Sequence, residues 1–98
     1  MKALWIAYDI VLDGDILGLL DEFNVSGFTR WPRLSGRGPK SGARLDNHVW
    51  PGANAVVMTV QDDETVDRIM ARLQALRDEV GDKTGVWAMT TTALETLK

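Results

Sequence analysis

The sequence predicts an α+β fold in which two βαβ halves build a four-stranded antiparallel sheet covered on one face by two helices. Three observations predict it. "KALWIAYDI" and "ANAVVMTV" are rich in strand formers, and "DDETVDRIMARLQALRDEV" carries apolar residues at helical spacing. The order of elements, strand–helix–strand, occurs once on each side of a long basic, glycine-rich stretch.

Taken in order, the first strand ends at Asp9, and Asp13 is placed to cap a helix whose apolar side is Ile16, Leu20 and Phe23. Ser26-Gly27 signals a turn. In the strand that follows, Phe28, Arg30 and Pro32 share one side, while Thr29, Trp31 and Arg33 share the other. Pro32 has no N–H to give to a ladder, so this strand belongs at a sheet edge. The second helix starts at Asp62 or Asp63, with acids crowding its first turn and Val66, Ile69, Met70, Leu73, Leu76 and Val80 at helical spacing. "GDKTG" stops it, and "VWAMTTTAL" reads as the last strand. Two split βαβ halves of similar length form the ferredoxin-like sandwich, a single domain over residues 1–98 with a long loop between the second and third strands.

The strands are apolar on both sides. Leu4, Ile6 and Tyr8 oppose Ala3, Trp5 and Ala7; Val56, Met58 and Val60 oppose Ala55, Val57 and Thr59; Val86 and Ala88 oppose Trp87 and Met89. Strands of this kind expect burial on both faces, yet helices cover one. The other face predicts a homo-oligomer in which sheets pack together. A chain of 98 residues is near the size at which one core closes unaided, so association is expected to add stability.

The net charge of −3 hides an asymmetry. Between Phe28 and Asn54 lie Arg30, Arg33, Arg37, Lys40 and Arg44 against one acid, Asp46, a balance of +4 that leaves −7 on the rest. An acidic body with a basic loop argues against nucleic-acid binding, which needs a broad positive face, and favours a local anionic target. The absence of cysteine excludes disulfides, thiolate metal sites and a thiol nucleophile, and it suits a reducing cytoplasm. The N-terminal apolar run is too short to span a membrane and carries no cleavage signal.

The loop, residues 34–52, holds "SGRGPKSG" and "DNHVWPG". Its glycines and cations suit a backbone nest for a phosphate or carboxylate, and equally a solvated loop. It is not a P-loop, because Leu34 stands where a glycine is required and Pro39 precedes Lys40. "GDKTG" likewise reads as an anion-facing turn or as a helix stop alone. His48, the sole histidine, lies beside Asp46 and Asn47. One imidazole cannot close a metal site, but copies in an oligomer together with a carboxylate suit a divalent metal. Trp5 and Trp87 are expected in the core or a subunit interface, Trp50 where the loop returns, and Trp31 in packing or stacked on a ligand. No triad is recognisable, so an enzyme is not expected.

"GFT" at 27–29, "GRGPKSG" at 36–42, "VVMTVQDDETVDRIM" at 56–70 and "VGDKTGVWAM" at 80–89 together resemble the PII signalling proteins and their PII-like relatives, with CutA a more distant cousin. The resemblance implies a regulatory homotrimer that holds an adenine nucleotide or related small anion between subunits. It also implies a T-loop, here within residues 34–52, that docks on a transporter or enzyme. It assigns Gly36, Arg37, Gly38 and Lys40 to the T-loop base and Gly81, Asp82 and Lys83 to the ligand-contacting turn. The CutA-like alternative makes His48 and Asp46 metal ligands in a metal-tolerance protein. The chain departs from the nucleotide-binding members in having no arginine in "TTTALETLK". It also has Pro39 in place of their glutamine and no loop tyrosine. Standard sensing of ATP and 2-oxoglutarate is therefore not implied.

Overall fold

The computed structural model describes residues 1–39, 42–47, 52–81 and 84–97. Along the chain lie β1 (Lys2–Asp9), a single 3-10 turn (Ile10–Leu12), α1 (Asp13–Glu22), β2 (Thr29–Leu34), β3 (Gly36–Gly38), β4 (Gly42–Arg44), β5 (Asn54–Gln61), α2 (Asp63–Val80) and β6 (Val86–Thr92). The main sheet has the order β2-β5-β1-β6, and every neighbouring pair in it is antiparallel. This is the predicted ferredoxin-like arrangement, with the strand containing Pro32 at one edge. The ladder between β2 and β5 shifts register between Trp31 and Leu34, the stretch that holds the proline.

One sheet face and both helices enclose the core. Leu4, Ile6 and Tyr8 of β1 pack with Ala55 and Val57 of β5 and Val86 of β6. Ile16, Leu19 and Leu20 cover them from α1, and Val66, Ile69, Leu73 and Leu76 from α2. The apolar positions recur at three- and four-residue steps because a helix turns once in about 3.6 residues, which lines them up on one stripe. Thr59, buried on β5, satisfies its hydroxyl by donating to the Gly27 carbonyl at 2.5 Å, which ties the chain entering β2 to the sheet. Gly81 closes α2 at φ 85°, a left-handed backbone that favours glycine, and its N–H bonds the Arg77 carbonyl at 2.9 Å.

Two local expectations differ from what is found. Asp13 lies inside α1 and Leu12 occupies the position before it. The Asp13 carboxylate is instead engaged by Arg30, at 3.0 and 2.7 Å, and by the Tyr8 hydroxyl at 2.6 Å. A bidentate guanidinium outcompetes a capping bond for the same oxygens. The capping role passes to Asp9, whose side chain accepts from Val11 N at the 3-10 turn. Secondly, the basic stretch contains structure of its own: β3 and β4 form a small antiparallel hairpin with Gly36 opposite Arg44 and Arg37 opposite Ala43. Strands of three residues carry too little sequence to show a period.

The face away from the helices is apolar and uncovered. Trp31, Val56, Ala7 and Trp87 form one row across the four strands, and Thr29, Met58, Trp5 and Met89 form the next. Trp5 and Trp31 stack with ring centroids 6.2 Å apart and planes 19° from parallel. They remain 37% and 38% exposed, Trp87 55%. Among the described residues no helix is long and apolar enough to cross a membrane.

Candidate functional site

Because β1 runs antiparallel to both its neighbours, its C-terminal end meets the N-terminal ends of β5 and β6. The last turn of α2 arrives at the same end on its way to β6, and the β3–β4 hairpin leaves from there. Between these elements lies a cleft of ≈ 610 Å³. Ala7 and Tyr8 come from β1, Asn54 from β5, Arg77 from α2, Thr84 to Trp87 from the entry to β6, and Gly36 to Pro39 and Arg44 from the hairpin.

Three guanidiniums line it, and no carboxylate among the described lining residues opposes them. Arg44 is buried, with its Nε 2.8 Å from Asp9 Oδ2. Its aliphatic stem runs past Gly52, where a positive φ of 93° favours glycine. Asp9 therefore holds the 3-10 turn with one oxygen and the hairpin's return strand with the other. Arg77 donates through Nε and Nη2 to the Val86 carbonyl, at 3.1 and 2.6 Å, which fixes its fork at the start of β6. Arg37 is exposed and makes no ion pair or hydrogen bond within the described structure. It is the cation best placed to receive a ligand without surrendering a partner. Asn54 backs onto Gly36, where an added Cβ would collide with the Asn54 amide nitrogen. A side chain at this position would have to push the Asn54 amide aside.

Behind the cleft, burial pushes the Tyr8 phenol up to about 12, with its bond to Asp13 adding to the effect. Arg30 beside Asp13 holds that carboxyl below the usual carboxylate range. The network joins β1, α1 and β2 through Tyr8, Asp13 and Arg30.

No family model matches the chain, and no curated protein matches it. Solved structures do. CPII, a nitrogen regulatory PII-like protein from Thiomonas intermedia K12 bound to ADP, AMP and bicarbonate, superposes with a TM-score of 0.75 at 20% identity. The match covers 92% of this chain and 82% of that one. The apo form of CPII matches with a TM-score of 0.65 at 19% identity, covering 92% and 87%. A PII-like protein from Thermus thermophilus matches with a TM-score of 0.65 at 23% identity, covering 92% and 83%. The chain has the PII-like fold.

On this PII-like frame the residues singled out from sequence divide into three groups. Gly36, Arg37 and Gly38 line the cleft, on the first strand of the hairpin. Gly81 caps α2 three residues before the lining residue Thr84, whose N–H bonds the Gly81 carbonyl at 3.3 Å. Lys40, Asp82, Lys83 and His48 lie outside the described residues, as does Trp50. Asp46 is engaged by Arg33, whose Nη2 and Nε reach its two oxygens at 2.6 and 3.2 Å. Arg33 holds the Asp46 carboxyl below its ordinary value. Among the described residues no group of three or more His, Asp or Glu side chains could hold a metal ion.

Sequence reading missed Arg77, Asn54 and the specific place of Arg44. Arg77 sits in the last turn of a helix, where a cation ordinarily complements the dipole and signals nothing more. Its spacing of four residues before Gly81 was the available clue.

Proposed function

We propose that this chain is a PII-like regulatory protein that binds a small anion, an adenine nucleotide or a chemically similar group, in the arginine-lined cleft. Residues 34–52 act as its T-loop and convey occupancy to a partner such as a transporter or enzyme. The observation that carries this reading is the convergence of Arg37 and Arg44 from the hairpin with Arg77 from the scaffold on one cleft. A ligand gripped from both sides favours one hairpin position over others, which is all a population shift requires. CPII, whose fold this chain shares, is described bound to ADP, AMP and bicarbonate.

The working unit in this reading is a cytoplasmic homotrimer, packed through the uncovered face bearing Trp5, Trp31 and Trp87, with Lys40, Gly81, Asp82 and Lys83 completing the site. Arg77 and Arg44 take the place of the arginines absent after β6. The reading assigns no catalysis. Calorimetric titration with ADP, AMP and bicarbonate tests it. We expect binding by the wild type and a loss of about tenfold or more in Arg37→Ala, with Tm unchanged because Arg37 holds nothing else in place. Equal affinity in the variant, or no binding by the wild type, overturns the assignment.

A further inference from the structure

Trp87 is the cleft residue that anion binding alone leaves without a task. Its indole lines the cleft and is 55% exposed. Trp5 and Trp31, on the same uncovered face, cover each other, whereas Trp87 has no ring or cation partner among the described residues. Its setting explains why. β6 is an edge strand flanked only by β1, and the residue across the ladder from Trp87 is Ala7, whose single methyl cannot cover an indole. Gly85, two residues earlier and joined to Asp9 across the same ladder, has no side chain at all. Ala7 and Gly85 both line the cleft. The indole therefore borders open space at the rim of the face, beside the arginines.

The size of the cleft points the same way. Its ≈ 610 Å³ falls in the range of about 300–1,000 Å³ that holds organic ligands. A bare oxyanion engages the guanidiniums and leaves the indole in water. We infer that Trp87 determines which anions the cleft selects: its indole stacks on a planar ring of the ligand while the arginines hold the charge, so a ring-bearing anion such as a nucleotide is preferred over a bare one. The inference rests on the anion-binding reading above. Stacking takes one face of the indole and one face of the ring out of water together, a contribution that a ligand without a ring cannot make.

The test is calorimetry with ADP against inorganic diphosphate, which keeps the charged group and lacks the ring. Wild type is expected to prefer ADP by about tenfold or more. Trp87→Leu, apolar but without a π-face, is expected to lose about tenfold in ADP affinity and to bind diphosphate as the wild type does. Trp87→Phe, which keeps a ring, is expected to recover most of the ADP affinity. Wild type that binds diphosphate as tightly as ADP, or Trp87→Leu that keeps the ADP preference, overturns the role of Trp87 alone. A loss in Trp87→Leu shared equally by both ligands does the same, because it marks a change in the cleft's shape or in assembly. Wild type that binds neither ligand overturns the anion-binding reading itself.

Discussion

Tyr8 shows how a single residue joins core to surface in this chain. Its ring is buried in the core, while its hydroxyl donates to Asp13 at 2.6 Å and Arg30 reaches the same carboxylate from β2. Tyr8→Phe is expected to cost about 0.5–1.5 kcal/mol, the usual worth of one such bond, in chemical denaturation at neutral pH. The phenol is raised from 10.0 to about 12, so the folded state holds this proton more tightly than the unfolded one. Its contribution is complete below pH 10.0 and is lost as pH rises toward about 12. The gap between wild type and Tyr8→Phe should therefore narrow across that window; a gap that stays constant would show the phenol unperturbed. Asp13 has the opposite sign: with its carboxyl lowered by Arg30, its contribution is present at neutral pH and disappears on acidification through the lowered value. Neither tie is legible in the sequence. Asp13 resembles a cap because capping is a local pattern, whereas its partner Arg30 lies seventeen residues away.

At the scale of elements, what is local is readable. The helices, the edge strand with Pro32 and the stop at Gly81 follow from period, proline chemistry and glycine φ. The hairpin and the cleft are not local. Gly36 lies against the side chain of Asn54, from a different strand, and Arg77 shares a cleft with the hairpin because α2 and β5 end and begin at the same end of the sheet. Gly36→Ala tests this dependence, since its methyl group has to displace the Asn54 amide. We expect amide hydrogen exchange to show reduced protection over residues 36–44 with β1 and the middle of β5 unchanged, and the overall stability to fall by about 1–3 kcal/mol. Unaltered exchange in the hairpin would mean that it is not seated on Asn54.

For the whole molecule, the two-sided apolar strands are the most informative sequence feature, because they forecast a sheet face that the chain's own helices leave open. That face carries the stacked Trp5 and Trp31 beside Met58 and Met89, an exposed apolar row of the kind that marks an interaction surface. Light scattering at micromolar concentration is expected to give three times the chain mass, and Trp5→Lys to shift the population to monomer by setting a cation into the packed face. A monomeric wild type would remove the trimer from the account.

The central claim is that an anion in the cleft changes the state of residues 34–52. Amide hydrogen exchange of the wild type with and without saturating ADP addresses both halves of it at once. The account predicts altered protection confined to residues 36–44 and the entry to β6 near Thr84 to Trp87, with the helix-packed middle of β1 unaffected. Binding accompanied by changes elsewhere, or by none in the hairpin, would contradict it.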